Sequence, residues 1–197
     1  MDFRKTPLVT GEYYHIFNRG AARLPTFIDK RDYQQATNLI SYYNRVSPPM
    51  KFSRFKELPI IERDRIINGA GNKSPLVEII SYVFMPNHFH FELKQAFENG
   101  ISKFLSKFTN SYTKYFNTKH NRAGGLFQGS FKSVHIETQS QLVHLSRYIH
   151  LNPLTSFIVD EKNFLSYPWT SLNDYLKGSS AFLNPKPVLS EFSSIEK

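Results

Sequence analysis

LVEIISYVFMPNHFHFELK, residues 76–94, is the stretch that decides the fold. LVEIISYVFM (76–85) is apolar almost throughout and reads as a strand. Pro86-Asn87 marks a turn or bulge, because proline has no N–H to give to a central ladder. HFHFELK (88–94) is a second strand. Side chains alternate along it, so Phe89, Phe91 and Leu93 turn to the core while His88, His90 and Glu92 point the other way. Two histidines on one face of a strand are a poor choice for packing and suggest chemistry.

Working outward, EYYHIFNRG (12–20) reads as a strand ending at Gly20. Residues 29–46 have helical spacing, with Tyr33, Ala36, Leu39, Ile40 and Tyr43 on one face and Asp29 as cap. SPPMKFS (47–53) breaks that helix, 54–69 form another, and GAGNKSP (69–75) is a loop. Residues 47–75 together look like an excursion from the core fold. On the far side, 99–120 form a long basic amphipathic helix, 121–125 a loop, and 126–137 a strand containing a glycine. Residues 138–153 form a helix capped by Thr138 or Ser140 and stopped at Pro153. A short helix near WTSLNDYL precedes the tail. Strand, helix, two strands, helix, strand, helix is not a parallel α/β alternation. It predicts an α+β sandwich, with a mainly antiparallel sheet and helices on one side. The boundaries are one domain over 1–176, with 47–75 inserted, and a C-terminal tail over 177–197.

With 197 residues, 40% of them hydrophobic, the chain can bury a substantial core. It has no cysteine, which excludes disulfides, thiolate metal sites and cysteine nucleophiles. No apolar run is long enough to span a membrane, and the N-terminus lacks the apolar core of a signal peptide. A cytoplasmic, nucleoid-associated protein is the expectation. The net charge of +9 favours a polyanionic partner, nucleic acid first. Eighteen Phe and 11 Tyr exceed what such a core needs, and rings among Lys and Arg stack unpaired bases.

Neutral imidazoles two residues apart on a strand can chelate one divalent ion, though by spacing alone an unliganded surface pair is the commoner outcome. The helix 138–153 offers further groups. His144, Tyr148 and Asn152, spaced i, i+4, i+8, stack beside its apolar stripe of Leu142, Leu145 and Ile149.

MPNHFH, then GLFQGSFKS (125–133), RYIHLNP (147–153) and YPWTSLNDYL (167–176), resemble the REP-associated tyrosine transposases of the single-tyrosine HUH superfamily. The resemblance runs from about Tyr13 to Leu176, with 47–75 outside it. It implies a ferredoxin-like fold, in keeping with the element order. It also implies that His88 and His90 are metal ligands, that Asn152 is the third, polar ligand, and that Tyr148 is the nucleophile. Asn18 and Arg19 match the family's strand end, where Arg19 meets DNA phosphate. The implied activity is metal-dependent cutting and transfer of single-stranded DNA at hairpin-forming palindromes, through a 5′-phosphotyrosine and a free 3′-OH.

Phenols are weak nucleophiles near neutral pH, and a covalent phosphotyrosine conserves bond energy for rejoining. A cation would polarise the phosphate and stabilise the leaving oxygen. Imidazole ligands favour Mn²⁺ and cellular abundance favours Mg²⁺, so either is expected. Lys103, Lys107, Lys114, Arg122 and Lys132 are candidate phosphate contacts. Glu92 is read as an orienting group or a surface charge, and His144 as a surface histidine that can accept a proton. A monomer acting in cis is favoured over a homodimer. The alternatives are a domesticated hairpin-binding relative that no longer cuts, a relaxase, and a basic RNA-binding protein.

Overall fold

The structure is a computed structural model that describes residues 7–68, 75–178 and 182–192. Its centre is a four-stranded sheet in the order β2-β3-β1-β4. The strands are β1 (Tyr13–Arg19), β2 (Val77–Met85), β3 (His88–Gln95) and β4 (Lys132–Ile136), and every pairing is antiparallel. The turn at Pro86-Asn87 joins β2 to β3, as the opening stretch predicts, and sets Met85 opposite His88.

Helices α1 (Lys30–Tyr43) and α4 (Gly100–Lys119) pack on the face that carries Phe89, Phe91 and Leu93. Phe91 meets Phe104 and Phe108 at ring distances of 6.1 and 5.8 Å. The two helices are tied by Asp32, which is fully buried: its carboxylate accepts from Lys119 Nζ at 2.7 Å and from the Ile28 N–H. Asp29 caps α1 as expected, accepting from the N–H groups of Arg31 and Asp32. Asn99 turns left-handed to start α4, and Gly100 follows because a Cβ there would sit 2.0 Å from the Leu76 carbonyl oxygen.

Helices on one side is not what the fold shows. Helix α5 (Gln139–Thr155) covers the other face, burying Ile149 against Val83, Met85 and Tyr167. This is why β2 is apolar at nearly every position: both of its faces are covered. The cap of α5 is Thr138, in a reciprocal capping box with Gln141. Pro153 does not stop the helix. It forgoes one backbone bond near the end, and the helix runs on to Thr155, closed by Ser156 N–H donating to Asn152 O.

Three other boundaries move. Residues 54–69 are two helices, α2 (Phe52–Glu57) and α3 (Ile60–Asn68), because Pro59 breaks the run. The loop read at 69–75 lies outside the described residues except for Pro75. The 47–75 segment is more than an excursion, since Phe52 and Phe55 are buried in the main core against Tyr42. Only 132–136 of the stretch 126–137 is strand; 126–131 form a loop whose Gly129 takes φ +62°.

After α5, helices α6 (Glu161–Phe164) and α7 (Leu172–Lys177) lead to the tail, whose described part contains α8 (Lys186–Leu189). The free edge of β2 is covered twice. Phe84 N–H donates to Trp169 O, and Asn184 N–H donates to Ile79 O. The YPWTSLNDYL motif and the tail thus protect an otherwise unpaired edge. No described helix is long and apolar enough to cross a membrane.

Candidate active site

β1 supplies the neighbours of the histidine strand. Its register places Phe17 opposite His90 and Arg19 opposite His88. His15, Phe17 and Arg19 therefore share the face of His88, His90 and Glu92. Tyr148 on α5 lies over them, 5.6 Å from the His90 ring and 6.3 Å from the His15 ring, edge-on to both. Together Phe17, Arg19, His88, His90, Lys132 and Tyr148 line a cleft of about 350 Å³, with Asn18 and Gln128. No carboxylate lines it, so Arg19 and Lys132 leave it positive.

The hydrogen bonds around the imidazoles orient them. Asn87 Nδ2 donates to Arg23 O, which turns Asn87 Oδ1 towards His88 Nδ1 at 2.7 Å. An amide oxygen only accepts, so His88 Nδ1 carries the proton and its Nε2 keeps a lone pair. The asparagine of MPNHFH thus sets a tautomer as well as a turn. His90 Nδ1 lies 2.8 Å from His15 Nε2. With His90 as donor, its Nε2 also keeps a lone pair. Burial holds His88 down to about 4, with Arg19 adding to the effect. Burial, then His15 and His88, hold His90 to about 3. Both rings are neutral near pH 7, the form that binds a cation.

Glu92 is not a surface charge. It is fully buried, and its carboxyl bonds Ser81 Oγ at 2.7 Å. A register irregularity between Ile79 and Ser81 brings that serine opposite it. Burial pushes Glu92 up to about 8, against the opposing pull of the Ser81 bond. The folded carboxyl thus keeps its proton well above pH 4.5, where the unfolded one loses it. Stability contributed by the protonated form is lost as pH rises through that window. Above pH 6.5 the unfolded histidines are mostly neutral and the Glu92 contribution stands out. We expect wild type to lose roughly 2 kcal/mol from pH 6.5 to 8 that Glu92→Gln retains, read from urea midpoints at several pH values.

The remaining predicted residues divide. Asn152 is buried, 4% exposed, accepts from Ser156 Oγ, and is not among the residues lining the cleft. His144 is exposed and does not line it either. Asn18 is buried; it donates to Gly129 O and accepts the Arg19 N–H, so it holds the 126–131 loop. Arg122 is similarly committed, to Asn117 and Gly125. Lys103 bonds Glu98 O near the start of α4, away from the cleft lining. Lys107 and Lys114 line a separate groove. Sequence reading missed His15. Its alternation with Phe17 and Arg19 was visible, but its pairing with His90 is a cross-strand contact.

Residues 62–152 match the family model described as "Transposase IS200 like". No curated protein sequence matches the chain. Among solved structures, one described as "Structure of the REP associates tyrosine transposase bound to a REP hairpin" is similar over 100% of this chain and 98% of its own, with a TM-score of 0.59 and 16% identity. The matched segment carries β2, β3, both cleft histidines and Tyr148. The resemblance read in the sequence is borne out: residues 62–152, with the histidine strand and the tyrosine of α5, are similar to the IS200-like transposases, and the chain has the α+β fold of the solved REP-associated tyrosine transposase.

Proposed function

We propose that this protein is a transposase-like, metal-dependent transesterase that cuts single-stranded DNA beside hairpins. One observation carries the proposal: Tyr148 stands over two neutral, oriented imidazoles in a basic cleft of its own chain. The Tyr148 hydroxyl attacks the scissile phosphorus, the bond to the 3′-oxygen breaks, and the products are a 5′-phosphotyrosine and a 3′-OH. Arg19 and Lys132 hold the phosphate. His88 and His90, through Nε2, would hold a divalent cation, Mg²⁺ or Mn²⁺, with Asn152 as the proposed third donor. That cation would polarise the phosphate and steady the leaving oxygen. The neutral imidazole pair fits such an ion; Asn152, held by Ser156, is the weaker member of the set. Because Tyr148 faces histidines of its own chain, a monomer acting in cis is the favoured form.

The burial of Asn152 also motivates a second reading, a domesticated relative that binds hairpins without cutting. Labelled hairpin DNA mixed with the protein in Mn²⁺, Mg²⁺ or EDTA separates them. A denaturant-resistant adduct that needs metal supports the transesterase. Binding with no adduct in any metal leaves the hairpin binder.

His15 has a separate expected effect. His15→Phe keeps a ring against Phe17 and removes the partner of His90 Nδ1. Outer partners of metal-bound histidines contribute about 10–100-fold in affinity. We expect Mn²⁺ binding, measured by calorimetry, to weaken by that range while thermal unfolding barely moves. Unchanged Mn²⁺ affinity would make His15 a packing residue only.

A further inference from the structure

Three clefts lie in succession, the second and third along α4. The histidine cleft has been described. The second, of about 490 Å³, runs between α4 and the 126–131 loop; no charged side chain lines it, and Ser106, Thr109, Thr113, Ser130, Phe127 and Phe131 form much of its wall. The third, of about 590 Å³, lies where α2 meets α4 and is lined by Lys51, Lys56, Lys107, Lys114 and Lys119 with no carboxylate among its lining residues. The clefts share residues at their boundaries. Asn18 lines the first and second, and Asn110 the second and third.

The lysine groove is short of counter-charge. Lys119 is neutralised by Asp29 and Asp32. Lys56 bonds the Gln35 amide oxygen, and Lys107 bonds the carbonyls of Arg45 and Val46, all neutral acceptors. Lys51 and Lys114 are exposed. Among the described residues none of these four makes an ion pair. Clustered ammonium groups repel one another, and a polyanion relieves that repulsion. The second cleft complements this, with uncharged hydroxyls and amides for phosphates and base edges and phenyl surface for bases. Lys51 and Lys56 precede residues 62–152, the stretch that matches the transposase family model, while Lys107, Lys114 and Lys119 lie within it.

We propose that the three clefts form one track for single-stranded DNA. The strand flanking the scissile phosphate leaves the histidine cleft at Asn18, crosses the hydroxyl-lined cleft, and enters the lysine groove past Asn110. The proposal rests on the DNA-cutting reading above and adds the path of the substrate.

The test uses the full chain and two labelled DNAs: a hairpin trimmed close to the cleavage site, and the same hairpin with a single-stranded flank of about 10 nucleotides. Affinity is read by fluorescence anisotropy over a salt series, and adduct by denaturing gel. Lys51→Ala/Lys114→Ala should weaken the flanked DNA roughly tenfold and flatten its log–log salt slope by about 1.4, while the trimmed DNA is unaffected. Asn110→Asp, which removes no lysine, should weaken the flanked DNA alone by placing a carboxylate at the crossing. Both changes are at exposed positions, and unchanged thermal unfolding checks that the fold persists. Equal loss on both DNAs would reduce the groove to a general basic field and overturn the track. So would equal affinity of wild type for the two DNAs. If adduct forms normally in that last case, the track fails and the transesterase stands. If neither DNA is bound, both fail.

Discussion

Tyr148→Phe is expected to abolish the covalent DNA adduct completely while leaving hairpin affinity nearly unchanged. The change deletes one oxygen, and the ring can keep its edge-on packing over His90 and His15. Tyr148 is 45% exposed, so the fold gains little from its hydroxyl. Arg19 and Lys132, the proposed phosphate contacts, line the same cleft and are not touched by the substitution. Several competing tyrosines are already occupied: Tyr112 is buried and donates to Thr26 O at 2.6 Å, Tyr14 donates to Pro7 O, and Tyr115 bonds Asp32. None of these lines the histidine cleft. A denaturing gel with end-labelled hairpin DNA checks the prediction. Adduct surviving in Tyr148→Phe would move the nucleophile elsewhere and break the assignment.

His90→Ala is expected to cost the most metal affinity, at least roughly 100-fold for Mn²⁺, beyond what loss of an outer partner costs. It removes a ring that His15 orients and that packs against His88, Phe17 and Tyr148. His88→Ala should come close behind, since Asn87 holds that ring in the ligating tautomer. Asn152→Ala should cost much less if the buried position bonded by Ser156 persists with metal bound. Titrating Mn²⁺ by electron paramagnetic resonance, without DNA, gives this ranking independently of catalysis. If Asn152→Ala matched the histidine variants, the asparagine would be a full ligand that turns into the cleft on binding. If all three bound Mn²⁺ like wild type, the cation would sit elsewhere.

Much of the architecture could be read from local chemistry. The period of two in HFHFELK, the capping of α1 by Asp29 and the long amphipathic stripe of α4 each come from neighbours in sequence, and each matches the fold. The failures share a cause. The uniform apolarity of β2 already signalled a second covered face, but no local pattern says which helix covers it. Pro153 was read as a stop because local rules carry no information on what supports a helix beyond it. Phe52 and Phe55 looked like part of an insertion, yet they complete the core against Tyr42.

By itself, the sequence determined that this is a basic, cysteine-free α+β chain with two histidines on one strand face and a tyrosine helix downstream. Those properties depend on composition and short-range period, which one chain carries openly. Tertiary structure alone decided that His15 meets His90, that Glu92 is buried against Ser81, and that Asn152 is buried without lining the cleft. Each depends on strand register or helix docking, where contacts many residues apart are chosen by the packing of the whole sheet and not by any local pattern.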